Sequence, residues 1–233
     1  MTRPGLPDTR DEARELLVLF CRRMIDAHLA YYTSGNLSTR IASEPGLIAV
    51  TPSSIAYDTL SADDIVVTTL DGEVVEGRLA PTSELPLHTV TYRDRPDVQG
   101  IAHVHSAAAM TMSVLGWDLP PILHGFVSAC GGGIQTAPYA KGGTDEMAWF
   151  TRELLRDRSA CFIRNHGTLA IGPTLEHAFN AVAVTEGAAD AYLRARTFGT
   201  VPEVPADDVL RIRARFWEPV WGGLVAGAPT HGG

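Results

Sequence analysis

The chain alternates predicted helices with short predicted strands, and this alternation narrows the folds open to it more than any other feature. Thr9 and Glu12 form a capping-box pattern, after which apolar residues recur at helical spacing to about Tyr31. Asp71-Gly72 is a hairpin turn signal between two β-like segments. Because hairpins occur among the helices, the pattern predicts an α/β sandwich on a mixed or largely antiparallel sheet.

The other elements follow from periodicity and from turn-forming residues. Residues 33–38 are small and polar, so they predict a break after the first helix. The predicted helices cover residues 9–31, 82–93, 107–115, 144–156, 174–196 and 209–216. The predicted strands cover residues 46–51, 65–70, 73–75, 134–137 and 160–164, with a further strand around 103–105.

The length of the chain and the lack of a repeat or long linker predict a single domain. Its 233 residues fit one large domain, 1–233, better than two, and they suffice to bury a substantial core. Neither a repeat nor a long linker divides the sequence. From about residue 217 it is rich in glycine and proline, which predicts a flexible tail.

Composition limits the classes of partner. A formal net charge of −8 argues against nucleic acid or an anionic membrane, although a small anionic substrate stays open. Cys21, Cys130 and Cys161 are widely separated and form no C-x-x-C, so neither a disulfide framework nor a zinc knuckle is indicated. The N-terminus lacks an apolar signal core and no apolar run approaches a membrane span, which predicts a cytoplasmic protein.

His103 and His105 are separated by one residue in a segment of small and β-branched residues. In a strand, residues i and i+2 lie on one face, about 6.5–7 Å apart, so the two imidazoles can bind one divalent ion. The pair alone is equally compatible with two histidines at a strand end. A third ligand elsewhere in the chain would favour the metal site.

His166 is the candidate for that third ligand, because it follows an apolar strand and precedes Gly167. Asn-His-Gly on its own is more often a turn. Three neutral imidazoles, however, suit Zn²⁺ and leave a coordination position open for substrate or water. The sequence therefore predicts one zinc ion per subunit, held by His103, His105 and His166, with other divalent metals as alternatives.

Glu84 is the candidate catalytic base. It follows Thr82 and Ser83 at a predicted helix start, where the helix dipole alone would also favour a glutamate. Hydroxyl groups and free backbone N–H groups at a helix N-terminus form an anion site, and two further small polar turns resemble it. The predicted phosphate-binding residues are Gly35, Asn36, Ser53, Ser54, Thr82 and Ser83.

An ordered series of short motifs resembles the class II aldolase/adducin family, with the closest likeness to its L-fuculose-1-phosphate aldolases. The resemblance extends from about residue 13 to about residue 196, and the motifs keep the family's order. They are Ser34-Gly-Asn-Leu-Ser38, Thr51-Pro-Ser-Ser54, Thr82-Ser-Glu84 with His88, His103-Val-His105, Ala137-Pro-Tyr-Ala140 with Gly143-Thr144, and Asn165-His-Gly167.

The resemblance implies a three-layer α/β/α sandwich and a homotetramer with the active site at a subunit interface. It implies zinc on the three histidines, joined by Glu84 when substrate is absent, and a substrate phosphate among the hydroxyl residues. The reaction expected is cleavage of a ketose phosphate to dihydroxyacetone phosphate and an aldehyde, through a metal-stabilised enediolate and with Glu84 moving the proton.

Two residues bear on the activity, one in favour of an aldolase and one against it. Glutamate at position 84 favours an aldolase over the sister 4-epimerases, which usually carry aspartate there. Gly125, however, stands where fuculose-phosphate aldolases place a catalytic tyrosine after a histidine like His124, so Tyr139 or a tail residue would have to serve the aldehyde side. Decarboxylation of a 3-oxo-tetronate phosphate, dehydration of a sugar phosphate and a non-catalytic adducin-like module remain alternatives. His88 either contacts the site or packs beneath it.

Overall fold

The computed structural model describes residues 6–222, within which strands and helices alternate along the chain. The strands are β1 (Asn36–Ile41), β2 (Glu44–Val50), β3 (Val66–Thr69), β4 (Val74–Glu76), β5 (Gly100–Val104), β6 (Thr136–Ala137), β7 (Ala160–Ile163) and β8 (Gly167–Gly172). The helices are α1 (Arg10–Asp26), α2 (Leu85–Asp94), α3 (Ala107–Leu115), α4 (His124–Cys130), α5 (Asp145–Leu154), α6 (Leu175–Arg196), α7 (Ala206–Ile212) and α8 (Glu218–Val220), with a π-helical segment at Arg213–Trp217.

The strands form one sheet in the order β4-β3-β2-β1-β5-β8-β7-β6. Its neighbours pair antiparallel except β6 and β7, which are parallel. One face packs against α1, α3, α4 and α6. The other packs against α2 and α5, together with Trp217 and Trp221. The predicted three-layer α/β/α sandwich on a mixed, largely antiparallel sheet is therefore confirmed.

The two apolar cores follow from the alternation of side chains along the strands. In β5, Ala102 and Val104 face the α1/α6 layer, whereas Ile101 faces the α2/α5 layer. His103 shares the face of Ile101 and is itself fully buried. None of the helices within residues 6–222 is long and apolar enough to cross a membrane.

Two strands and one helix ahead of α6 are absent from the sequence prediction. Strand β1 starts at Asn36, inside the segment expected to be a loop, and lies at the middle of the sheet. Its polar side chains are tolerated there because Asn36 and Ser38 form hydrogen bonds with residues of α2. Strand β8 was not predicted because it begins and ends with glycine, which is unfavourable in strands. Helix α4 was not predicted because Gly125, a weak helix former, is in its first turn.

The ends of the chain also differ from expectation. Helix α1 has the predicted Thr9–Glu12 capping box but ends at Asp26, because His28 and Tyr32 adopt positive φ angles of 54° and 57°. Within the stretch assigned to the tail, the side chains of Trp217 and Trp221 are buried, each only 2% exposed. The rest of the predicted flexible tail lies outside the described residues.

Candidate active site

The three predicted metal ligands come together at one end of β5. His103 is in β5, His105 follows its last residue, and His166 lies in the turn between β7 and β8. The Nε2 atom of His103 is 2.9 Å from that of His105 and 3.4 Å from that of His166. Because β8 pairs with β5, the turn that carries His166 is held directly beside the pair.

Local backbone geometry fixes this convergence. Asn165 has a φ of 56°, which turns the chain sharply between the two strands. A Cβ atom on Gly167 would lie 2.3 Å from the Val104 carbonyl oxygen and 2.8 Å from the His105 ring. Glycine is therefore the only residue that lets the turn approach β5 so closely.

Glu84 completes the cluster from the other side. It lies immediately before α2 and is 8% exposed. Its Oε2 is 3.1 Å from His103 Nε2, and its Oε1 is 3.2 Å from His166 Nε2. One ligand atom from each of Glu84, His103, His105 and His166 lies within 4.8 Å of the other three.

This donor set fits a divalent metal ion. His103 Nδ1–H donates to the Thr168 carbonyl oxygen at 3.0 Å, which directs Nε2 towards the cluster, as the partner of a metal-binding imidazole does. Lone pairs of several imidazoles that converge at such short distances repel one another unless a cation lies between them. Three nitrogens and one carboxylate oxygen are ligands that Zn²⁺ and similar ions accept.

The charges in the cluster depend on one another. Burial alone would raise the pKa of Glu84, but the nearby His103 and then His166 outweigh it, so this pKa lies well below its usual value. Burial alone would lower the pKa of His103, but the Glu84 carboxylate raises it above the ordinary value. Burial and the charge of His103 lower the pKa of His105 to about 3 and that of His166 to about 4.

Metal binding at pH 6 is expected to release about one proton, because His103 is the one residue of the cluster with a raised pKa, and its proton must leave for a metal ion to bind. Affinity should be level above that pKa and fall about tenfold per pH unit below it, since the proton then competes with the metal. Calorimetric titration with zinc in buffers of different ionisation enthalpy measures the release. Zinc binding without proton release at pH 6 would contradict this protonation scheme.

A cavity of about 250 Å³ joins the histidine cluster to the predicted phosphate-binding residues. All six of them line it, together with Glu84, His105 and His166. We call these six predicted phosphate-binding residues the cradle. Two backbone hydrogen bonds hold its loops together, from Thr82 N–H to the Thr51 carbonyl and from Ser53 N–H to the Ala80 carbonyl. Asn36 lies on strand β1 rather than in a turn, opposite His103 in the register.

Sequence reasoning missed several residues of the site. Thr33 and Ser34 line the cavity, although the sequence placed Thr33 only in the break after the first helix and gave Ser34 no role beyond its place in a family motif. A Cβ on Gly142 would lie 3.5 Å from Glu84 Oε1, so the Gly142–Gly143 turn borders the cluster. Gly143 was part of a family motif in the sequence, but Gly142 was not assigned to the site.

The sequence had left open whether His88 merely packs beneath the site. The structure shows that it is fully buried and lies within hydrogen-bond distance of Asn36 and Ser38. Burial lowers the pKa of His88 to about 3, so the ring is neutral. Gly125 is in the first turn of α4, and Tyr139 is 66% exposed; neither is among the cavity-lining residues of the described chain.

Comparison with known proteins agrees with this fold and identifies the family. A family model described as Class II Aldolase and Adducin N-terminal domain matches residues 15–193. The chain belongs to the class II aldolase/adducin family, and the predicted resemblance is confirmed. Class II aldolases are carbon–carbon lyases that depend on a divalent metal, and the predicted class of enzyme is confirmed as well.

Individual relatives cover nearly the whole chain. It is 34% identical over 203 residues to the 5-deoxy-D-ribulose 1-phosphate aldolase of Bacillus thuringiensis serovar kurstaki, covering 87% of this chain and 94% of the relative. It is 30% identical over 208 residues to the L-fuculose phosphate aldolase of Escherichia coli K12, covering 89% and 95%. A solved L-fuculose 1-phosphate aldolase superposes with a TM-score of 0.85 at 31% identity, covering 88% and 96%.

Proposed function

We propose that this protein is a zinc-dependent aldolase that cleaves a ketose 1-phosphate of the L-fuculose 1-phosphate kind into dihydroxyacetone phosphate and an aldehyde. The observation that carries the proposal is the single cavity in which the histidine cluster and Glu84 adjoin a cradle of hydroxyl groups. A metal site alone would suit many reactions. The adjoining cradle selects a substrate that carries an anion next to its reacting carbons.

The cradle binds the phosphate and sets the position of the sugar. Hydroxyl groups of Ser53, Ser54 and Ser83 border the cavity and can donate to phosphate oxygens. The Ser53 and Ser54 hydroxyls are 3.3 Å apart, so both can reach one bound anion. With the phosphate held there, the carbonyl end of the substrate lies towards the histidines.

Glu84 carries the proton transfer at carbon. A divalent ion bound by His103, His105 and His166 supplies Lewis-acid polarisation of the substrate oxygens and stabilises developing negative charge. When the carbon–carbon bond breaks, its electron pair stays on the phosphate-bearing fragment as an enediolate, and the hydroxyl group on the other fragment becomes the aldehyde and releases its proton to solvent. Glu84, which is ionised in the free site, takes up one proton from solvent and delivers it to the enediolate carbon. The carboxylate is 3.1 and 3.2 Å from two of the histidines, which places it beside the reacting end of the substrate.

The names of two relatives support a ketose 1-phosphate as substrate. The Bacillus thuringiensis protein is named a 5-deoxy-D-ribulose 1-phosphate aldolase, and the solved structure is named an L-fuculose 1-phosphate aldolase. Both substrates are deoxy ketoses that give dihydroxyacetone phosphate on cleavage. A phosphate on carbon 1 fits the cradle, and the variable aldehyde end would lie outside it.

A substrate panel tests the reaction. The metal-loaded protein would be incubated with L-fuculose 1-phosphate, 5-deoxy-D-ribulose 1-phosphate, a 3-oxo-tetronate phosphate and a ketose 5-phosphate. We expect triose phosphate from a ketose 1-phosphate, measured by a coupled dehydrogenase. Release of carbon dioxide from the oxo acid, or epimerisation of the 5-phosphate without cleavage, would overturn the proposal in favour of one of the alternative activities.

Removal of one cradle hydroxyl should weaken substrate binding more than turnover. We expect Ser83→Ala to raise KM by about 10- to 100-fold with a small change in kcat, since a hydrogen bond to a charged group contributes about 1.5–3 kcal/mol. Steady-state kinetics on the cleaved substrate provides the measurement. Ser43→Ala is the control, because Ser43 donates to the Asp8 carbonyl at the opposite end of the β1–β2 hairpin. If Ser83→Ala and Ser43→Ala change KM equally, Ser83 does not bind the substrate phosphate.

We also propose that zinc is the native metal and that the protein is a cytoplasmic homotetramer with the site at a subunit interface. Exposed apolar side chains beside the cavity support the assembly: Tyr31 and Tyr32 are 52% and 76% exposed and directly precede Thr33, which lines it. Light scattering that gives the mass of a single subunit would contradict the tetramer. Metal analysis of the purified protein identifies the ion.

A further inference from the structure

We propose that His88 is a positioning residue that fixes the orientation of the Asn36 amide and, through it, the Glu84 carboxylate. The proposal deepens the proposed function, on which its catalytic consequence rests. His88 does not line the cavity and is fully buried beneath it. It therefore acts only through the side chains that it contacts.

Both ring nitrogens of His88 have partners on strand β1. Nε2 lies 2.6 Å from Asn36 Oδ1, and Nδ1 lies 2.6 Å from Ser38 Oγ. Asn36 and Ser38 are two residues apart in β1, so their side chains share the face that packs against α2. The chain continues at both ends, because Asn36 Nδ2 donates to Glu84 Oε2 at 2.8 Å and Ser38 Oγ is 2.9 Å from Tyr92 Oη.

The carboxylate determines the direction of each hydrogen bond in this chain. An ionised Glu84 only accepts, so Asn36 must direct its NH₂ group towards Glu84 and its carbonyl oxygen towards His88. That carbonyl only accepts, so His88 must carry its hydrogen on Nε2. Nδ1 then accepts from the Ser38 hydroxyl, which in turn accepts from Tyr92. When the neutral ring has its hydrogen on Nε2, each contact from Tyr92 to Glu84 pairs one donor with one acceptor.

The arrangement follows from the spacing of residues in two elements. Glu84, the residue before α2, and His88 are four residues apart, which is about one helical turn, and both contact Asn36 of β1. Tyr92 is one further turn along, and it is fully buried with the Arg40 guanidinium 4.8 Å from its ring. Helix α2 thus meets β1 through a row of three polar side chains within a buried face.

Among residues 6–222, His88 is the one hydrogen-bond partner of the Asn36 side-chain carbonyl oxygen. Without it, the amide could rotate and present its carbonyl oxygen to the Glu84 carboxylate, which would repel it. Glu84 would lose the donor that orients it between the histidines and the cradle. Partners that orient a ligand or base in this way commonly change activity by about 10- to 100-fold when they are removed.

A comparison of two substitutions tests the positioning role. We expect His88→Leu to lower kcat by about 10- to 100-fold with KM changed less. We expect His88→Gln to restore most of the turnover, since a glutamine amide can donate to Asn36 from the position of Nε2. His177→Leu is the control, because His177 contacts Thr174 at the start of α6, outside the chain of hydrogen bonds. Equal losses in His88→Leu and His88→Gln would overturn the proposal.

A double-mutant cycle tests whether His88 acts through Asn36. If it does, adding His88→Leu to Asn36→Ala should cause less than about a twofold further loss of turnover, since the two effects are not additive. Independent, multiplying losses would refute the connection. Tyr92→Phe removes only the last hydroxyl of the chain and should cost less than His88→Leu.

Nuclear magnetic resonance of the zinc-loaded protein with ¹⁵N-labelled histidine gives a readout that needs neither a substitution nor activity. We expect a His88 ring with the hydrogen on Nε2 and slow exchange with solvent, because the ring is buried. A hydrogen on Nδ1 would overturn the proposal even if the enzyme is an aldolase. If the ring has its hydrogen on Nε2 but the protein cleaves no ketose phosphate, the proposed hydrogen-bond arrangement stands. That pair of results would overturn only the proposed function.

Discussion

Replacement of His103 by alanine is expected to abolish both metal binding and aldolase activity. His103 is fully buried at the centre of the cluster, with its Nε2 close to His105, His166 and Glu84. Loss of the metal removes several kcal/mol of charge stabilisation, so turnover should fall by at least about 1,000-fold. Metal analysis after dialysis and the triose phosphate assay measure the two effects.

Thermal unfolding separates loss of the site from loss of the fold. A metal that binds only the folded protein raises Tm, so zinc should stabilise the unsubstituted protein but not His103→Ala. The matched control is His177→Ala, which removes a histidine far from the cluster and should keep its zinc response. A His103→Ala protein that still binds zinc stoichiometrically and cleaves substrate would show that the cluster is not the catalytic metal site.

The metal cluster could be predicted from the sequence because each histidine occupies a simple local position. His103 and His105 follow strand periodicity, and His166 follows an apolar strand next to Gly167. Sequence could not show that β7 and β8 form a hairpin beside β5, because β8 is flanked by glycines and was not recognised as a strand. The resemblance to a known family, rather than periodicity, gave the three-layer arrangement.

Strand β1 illustrates what periodicity misses. Its first residues are polar and buried, and they look like a loop until their partners on α2 are known. Asn36 and Ser38 are stable in the middle of the sheet because His88 and Tyr92 satisfy their hydrogen bonds across 50 or more residues of sequence. Such pairs depend on tertiary packing, so local propensity predicts a turn where the structure has a central strand.

Glu84→Gln is expected to retain the metal and lose turnover. Glutamine has the same size, and its carbonyl oxygen can still accept from Asn36, so the side chain should keep its position. The three histidines remain to bind zinc. Turnover should fall by about 100- to 10,000-fold, because the amide cannot carry a proton to or from carbon. Zinc content and steady-state kinetics are measured on the same preparation.

Exchange of substrate hydrogen with solvent identifies the step that fails. An aldolase reversibly protonates the phosphate-bearing fragment, so it should exchange a carbon-bound hydrogen of dihydroxyacetone phosphate with deuterated water, and Glu84→Gln should not. Glu44→Gln is the control, since Glu44 pairs with Arg10 at the far end of β2 and should leave exchange unchanged. If Glu84→Gln exchanges normally but cleaves slowly, Glu84 serves the aldehyde side instead, where Gly125 offers no proton donor. Near-normal cleavage would exclude Glu84 from catalysis and leave the histidine cluster without its proposed base.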